Sequence, residues 1–309
     1  QDYASDQNVR IRASDGTAGL GHVVLTADTG ALVTRENGWT YLELGAVASI
    51  SPAVGQLNTV VTISGARLFG GGSEVATVTV LGVEATIRAQ TEDMIVVVLG
   101  GSGASSGADV TLLSESGAII TAAGLFTYIA EGEVGDVSPN VGQAGTYVQI
   151  SGARLRGSGE GVSRVTLAGV EATLLDHTSD VVNVQATSGA AQVGDVVLTA
   201  NTEATVTLTD GWTYSTAGVI DTVSPSTGQY GTRVDIVGSN LRGAGASVEK
   251  VALAGTDVLS IDSESNTLIS VVADHADAGA AAGSVMVWAD TGALTTLDGS
   301  WQYLVEGAI

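Results

Sequence analysis

Val137-Ser138-Pro139-Asn140-Val141-Gly142-Gln143 is one of three copies of a single phrase. The others are Ile50-Ser51-Pro52-Ala53-Val54-Gly55-Gln56 and Val223-Ser224-Pro225-Ser226-Thr227-Gly228-Gln229. Pro52, Pro139 and Pro225 are the only prolines in 309 residues, and they stand 87 and 86 residues apart. Self-similarity at a fixed period marks a string of modules, each one structural unit that stacks on its neighbours.

The period returns elsewhere. Ser64-Gly65-Ala66-Arg67-Leu68 recurs as Ser151-Gly152-Ala153-Arg154-Leu155 and, more loosely, as Val237-Gly238-Ser239-Asn240-Leu241. An aromatic pair closes each unit: Trp39/Tyr41, Phe126/Tyr128, Trp212/Tyr214 and Trp301/Tyr303. Four closing phrases against three opening ones place residue 1 in mid-module. The expected organisation is a partial repeat at 1–43, whole repeats at 44–131, 132–217 and 218–305, and the start of a further unit at 306–309. Either the chain is a window on a longer array, or the half-module is completed by strands from another chain, since a half-sandwich leaves sheet edges and an apolar face open.

Within 132–217, short Val-, Thr- and Ile-rich runs alternate apolar with polar residues, the period of a half-buried strand. They predict strands at Val134–Val137, Tyr147–Ile150, Val162–Leu167, Val170–Leu175, Val181–Ala186, Val193–Ala200 and Trp212–Ser215. The proline sits at a strand end because it cannot donate to a ladder. Ser151-Gly152 is expected to break the second strand. Seven short strands with turns every ~8–12 residues is the pattern of a β-sandwich, and no window holds helical periodicity long enough for a helix. Trp212 and Tyr214, two apart, share one face of the last strand. They are expected to pack the core; stacked aromatics could otherwise form a carbohydrate platform.

Composition excludes several classes. Net charge is −22, and Lys250 is the one lysine among 11 basic residues, so nucleic acid and acidic membrane surfaces are poor partners. No run approaches the ~20 apolar residues of a membrane-spanning helix. With no cysteine there is no disulfide framework, thiol catalysis or cysteine metal site. No Asn-x-Ser/Thr acceptor occurs. The 42 glycines cluster between apolar runs as turn chemistry.

Chemistry-bearing clusters are sparse. His22, His177 and His275 lie at non-equivalent places, without zinc-ligand spacing, and are expected at the surface. The acidic pairs Asp176/Asp180, Asp262/Glu264 and Asp274/Asp277 are calcium candidates, as are Glu131, Glu133 and Asp136 at a junction. The junctions share no ligand set, however, and no calcium-loop motif is present. No cofactor is otherwise expected. No nucleophile or phosphate-loop motif appears, so an enzyme is not expected. Contacts with a partner are expected at the variable positions: Phe69 and the loop 69–73, the loop 100–107, Tyr230 and Trp288. Trp288 has no counterpart in the other repeats, and reads either as a packing variant or as a contact to a neighbour.

The phrase Pro-x-x-Gly-Gln-x-x-Thr, followed by Ile-Ser-Gly-Ala-Arg-Leu, resembles the IPT/TIG domain family. The matching residues are Pro139, Gly142, Gly145, Thr146, Val148, Ile150, Gly152 and Leu155, with Pro52, Gly55, Gly65, Pro225, Gly228 and Gly238 in the flanking units. The resemblance covers 44–305 and, by its C-terminal half, 1–43. It implies an all-β chain of tandem immunoglobulin-like β-sandwiches. The family occurs in cell-surface receptors and surface proteins; its transcription-factor members bring a basic surface that this acidic chain lacks. The expected function is that of a non-enzymatic extracellular or cell-surface structural and adhesive repeat protein, a segment of a longer rod, stalk or filament. Its partners would be itself or further repeats. The alternatives are an array that binds a glycan or protein ligand, and the accessory region of a large secreted enzyme.

Overall fold

The computed structural model describes residues 3–5, 7–276 and 282–305. The chain is all-β over these residues. It divides into two compact units, 1–129 and 130–309.

The first unit opens with two hairpins, β1 (Tyr3–Ala4) with β2 (Val9–Arg10) and β3 (Gly19–Thr26) with β4 (Leu32–Tyr41). A whole repeat follows: β5 (Ala46–Ser51), β6 (Val54–Gly55), β7 (Val60–Ala66), β8 (Val75–Val80), β9 (Val83–Gln90), β10 (Met94–Val98), β11 (Ser105–Ser114) and β12 (Ile119–Tyr128). Its β9 pairs with both β8 and β10. The two layers are thereby joined in one eight-stranded order, β5-β7-β10-β9-β8-β11-β12-β6.

The second unit holds two repeats. One comprises β13 (Glu133–Ser138), β14 (Val141–Gly142), β15 (Tyr147–Ala153), β16 (Val162–Leu167), β17 (Val170–Glu171), β18 (Thr173–His177), β19 (Val181–Gln185), β20 (Gln192–Ala200) and β21 (Thr205–Tyr214). The other comprises β22 (Val219–Ser224), β23 (Thr227–Gly228), β24 (Arg233–Ser239), β25 (Val248–Leu253), β26 (Thr256–Asp257), β27 (Ser260–Glu264), β28 (Leu268–Val272), β29 (Gly283–Ala289) and β30 (Leu294–Tyr303). Each has a four-stranded layer, β13-β15-β19-β18 or β22-β24-β28-β27, facing a five-stranded one, β14-β21-β20-β16-β17 or β23-β30-β29-β25-β26. The Ser-Pro bond in all three opening phrases is cis.

Alternation along the strands builds each core. Val148 and Ile150 of β15 point inward to meet Val165 and Leu167 of β16, Val182 and Val184 of β19, and Val196 and Leu198 of β20. Leu68, Leu155 and Leu241, the last residues of the recurring Gly-Ala-Arg-Leu phrase and its variant, are each buried. The phrase's glycine is needed for a close approach. A Cβ at Gly65, Gly152 or Gly238 would stand 2.1, 2.1 or 2.0 Å from a carbonyl oxygen of the first strand, at Ala46, Glu133 or Val219. The pairing slips its register just beside that contact in every repeat, so a β-bulge and a glycine are used together.

Four expectations within 132–217 differ from the structure. The second strand does not end at Ser151-Gly152 but runs to Ala153, because Gly152 is paired at the bulge. Val170–Leu175 is not one strand; it splits at buried Ala172, β17 joining the five-stranded layer and β18 the four-stranded one. The last strand begins at Thr205, not Trp212. Val141–Gly142 adds a two-residue strand, parallel to the end of β21.

One turn recurs unannounced. Thr91, Thr178 and Ser265 cap the turns β9–β10, β18–β19 and β27–β28, where the hydroxyl accepts the N–H of Met94, Val181 or Leu268 at 2.9–3.1 Å. Ser5 does the same for Asn8 at 3.1 Å, which identifies β1–β2 as the counterpart of β18–β19. By the same comparison β3–β4 corresponds to β20–β21. Among the described residues, 3–43 therefore hold the closing hairpins of both layers.

Candidate interaction surfaces

The aromatic pairs form one motif in four settings. The two rings meet edge to face at 5.0–6.0 Å in every repeat. In the whole repeats, Phe126/Tyr128, Trp212/Tyr214 and Trp301/Tyr303 are buried, leaving no stacking platform there. Burial pushes the Tyr128, Tyr214 and Tyr303 phenols above their ordinary value, with a smaller push on Tyr303 from Asp274 and a smaller opposing influence on Tyr214 from the neighbouring Thr187 hydroxyl. In the first hairpins Trp39 is 49% exposed and Leu25 39%, although their counterparts Trp212 and Leu198 are fully buried. The face of β3–β4 that forms core in a whole repeat is thus open.

Three of the paired carboxylates are engaged by side chains, and Asp274 accepts the His275 N–H at 2.7 Å. Asp176 accepts from Asn183 at 2.8 Å, Asp262 from Ser260 at 2.9 Å, and Glu264 lies 2.7 Å from Arg242. Among the described residues no group of three or more His, Asp and Glu is placed to hold a metal ion; Asp277 lies outside them. His22 and His275 are exposed and His177 half-buried. His22 Nδ1 accepts the Asn37 N–H at 3.1 Å, the place that Asp109 and Asp195 fill for Gly124 and Asp210.

The variable positions do not converge. Phe69 packs against the core of its repeat. Trp288 is half-buried on a sheet face, with Lys250 Nζ 5.1 Å above its ring. Tyr230 is exposed and stacks on His275 at 3.8 Å. The loop 100–107 is described but brings no reactive group with it.

What the structure does build is a junction inside the second unit, which sequence reasoning missed. Gln143, nine-tenths buried and more, bridges the repeats: its Nε2 donates to Leu294 O at 3.1 Å and to Thr295 Oγ1 at 3.2 Å, while its Oε1 accepts the Gly218 N–H at 2.6 Å. Two main-chain bonds flank it, Tyr147 N–H to Thr291 O at 2.8 Å and Leu294 N–H to Ala144 O at 3.0 Å. Gly145 and Gly292 face each other there with φ of +92° and +83°. A Cβ on Gly145 would meet Gly292 O at 2.7 Å, and one on Gly292 the Tyr147 ring at 2.3 Å. The turn that carries Gln143 is fixed by Thr146, whose Oγ1 accepts the Gln143 N–H. Gln56 with Thr59 and Gln229 with Thr232 repeat that bond. The signal lay in the opening phrase: a glutamine that recurs with its glycine at the end of each module.

The model of the IPT/TIG domain matches residues 46–128, 133–215 and 219–303. No curated protein matches the chain. Similar solved structures include the full extracellular region of plexin A4, at 17% identity and TM-score 0.42, covering 78% of this chain and 22% of that one. They also include SGBP-B of the Bacteroides ovatus mixed-linkage glucan utilization locus, in complex with a mixed-linkage heptasaccharide, at 14% identity and TM-score 0.25, with 93% and 70% covered. The N-terminal eight Ig domains of Down Syndrome Cell Adhesion Molecule match at 11% identity and TM-score 0.23, with 91% and 44% covered. The chain spans between 22% and 59% of the first three structures it matches.

Proposed function

The chain belongs to the IPT/TIG domain family, and from that premise we propose that it works as a non-enzymatic structural array, an extracellular or cell-surface segment of a rod, stalk or filament. IPT/TIG domains are non-catalytic. The observation that carries the reading is the Gln143 junction: a buried side chain with three hydrogen bonds, two main-chain bonds and two close-packed glycines are spent on joining one module to the next. A merely tethered pair of domains needs none of these, since linkers of ordinary modules are exposed and few contacts cross them. Buried polar groups with every partner satisfied specify one arrangement. Strong acidity keeps such an array soluble and repelling toward nucleic acid.

Electron microscopy of the native material, labelled with an antibody to this chain, tests it. Ordered filaments or stalks with a repeat of one module length support the structural role. Dispersed monomers that bind a soluble glycan or protein ligand contradict it.

A further inference from the structure

Asn37-Gly38 is the one asparagine–glycine pair in the sequence. Each of the other seven asparagines is followed by Val, Thr or Leu. A bulky side chain shields the main-chain nitrogen that follows an asparagine, whereas glycine leaves that nitrogen open to the asparagine's own amide carbon.

The fold sets this pair at an interruption of a ladder. Gly21 pairs with Trp39 and Val23 with Arg35, so Glu36, Asn37 and Gly38 together face His22 alone. Asn37 holds a left-handed φ of +52°, which asparagine tolerates, and its N–H donates to His22 Nδ1 at 3.1 Å. Its side-chain amide has no hydrogen bond among the described residues. By contrast, the Asn183 amide donates to Asp176, and those of Asn201 and Asn266 accept the Glu160 and Arg242 N–H groups. Asn37 is exposed, and the position is exposed in a whole repeat too. Its counterpart Asp210, also at φ +52°, faces solvent although Trp212 two residues on is buried. Strands that covered Trp39 would therefore leave Asn37 accessible.

We propose that Asn37 is a self-modifying site, converted to aspartate and isoaspartate through a cyclic imide with Gly38. The Gly38 nitrogen attacks Asn37 Cγ. The N–Cγ bond forms as the Cγ–Nδ2 bond breaks, and water carries the Gly38 proton to the departing nitrogen, which leaves as ammonia. A second water opens the imide. Breaking the N–Cγ bond restores the main chain and leaves aspartate. Breaking the bond from nitrogen to the Asn37 main-chain carbonyl carbon leaves isoaspartate, with the chain running through Cβ and Cγ. The products differ in fit. Asp210 already shows aspartate at this φ in the same three-against-one bulge, its N–H on Asp195 Oδ1 at 3.0 Å. Isoaspartate adds a main-chain methylene opposite His22 and lengthens the bulge. Either product adds a negative charge to the β3–β4 hairpin.

Mass-spectrometric peptide mapping of the folded chain, aged in warm, mildly alkaline buffer, tests this. A synthetic peptide of residues 33–41, aged alongside, is the reference. The segment holding Asn37 should gain the mass of an amide-to-acid exchange several-fold faster than any other asparagine-bearing segment, and isoaspartyl methyltransferase should label it. The Asn37→Asp chain should keep the melting temperature of the unmodified one. Conversion of the reference peptide while Asn37 stays intact in the folded chain overturns the proposal, because the bulge then shields the pair. So does another asparagine of the folded chain converting as fast, or a mass gain at Asn37 without the isoaspartyl label, which would mean direct hydrolysis. A marked fall in melting temperature for Asn37→Asp overturns aspartate as the product that fits.

Discussion

Trp212 and Trp39 are one residue in two environments. Each closes its repeat and meets a tyrosine edge to face, yet one is fully buried and the other half-exposed. Truncating a buried tryptophan leaves a large cavity, and Trp212→Ala is expected to cost about 3–5 kcal/mol. Trp39→Ala should cost under about 1 kcal/mol, as an exposed substitution does. Denaturant titration of the two variants checks the difference. The tyrosines extend the argument to pH. Tyr128, Tyr214 and Tyr303 have phenols raised by burial, so the folded state holds their protons after the unfolded chain has released them. Their contribution is fully present below the unfolded value of about 10 and is lost as pH rises through the folded values. Melting temperature should fall above that pH, and these three phenolates should appear only with unfolding, in a titration followed by ultraviolet absorbance. The aromatic core was legible in the sequence because the spacing of two puts both rings on one face. The exposure of Trp39 was legible only as a count of four closing phrases against three openings.

At the scale of elements, the sandwich could be read wherever alternation is unbroken. Val162–Leu167 is a strand to the residue. What escaped the pattern is where chemistry interrupts it. Thr205-Val206-Thr207-Leu208 alternates, but Asp210 at φ +52° sets a bulge before Trp212 and hides the continuity. Across Val170–Leu175 the alternation is preserved while the chain changes layers at Ala172, so no signal marks the switch. The glycine at each first-strand bulge is the strictest demand. Gly152→Ala would force a methyl into the Glu133 carbonyl and against the Val134 Cα at 3.0 Å. Because backbone cannot move aside as a side chain can, the change should cost about 1–3 kcal/mol or more. Calorimetry of Gly152→Ala checks this, with Gly82→Ala as a control for positive-φ strain alone at a glycine whose Cβ position is open.

For the whole molecule, the structure shows one module copied in tandem and a junction that joins two of the copies. The period was plain in the sequence. The junction was not, because its partners, Gln143 with Leu294 and Thr295, lie some 150 residues apart, and no periodicity links a glutamine in one phrase to a turn in the next repeat. Gln143→Ala removes three hydrogen bonds and leaves a buried carbonyl and amide without this partner. A loss of about 1–3 kcal/mol is expected, felt by both repeats of the second unit. Denaturant titration of Gln143→Ala against the unmodified chain checks it.

Hydrogen exchange of the native chain at the amides of Tyr147, Gly218 and Leu294 tests the built junction most directly. Protection comparable to that of the neighbouring strand interiors, lost in Gln143→Ala, is the predicted result. Exchange at the rate of an open loop in the unmodified chain would contradict it, and would make the modules beads on a flexible string.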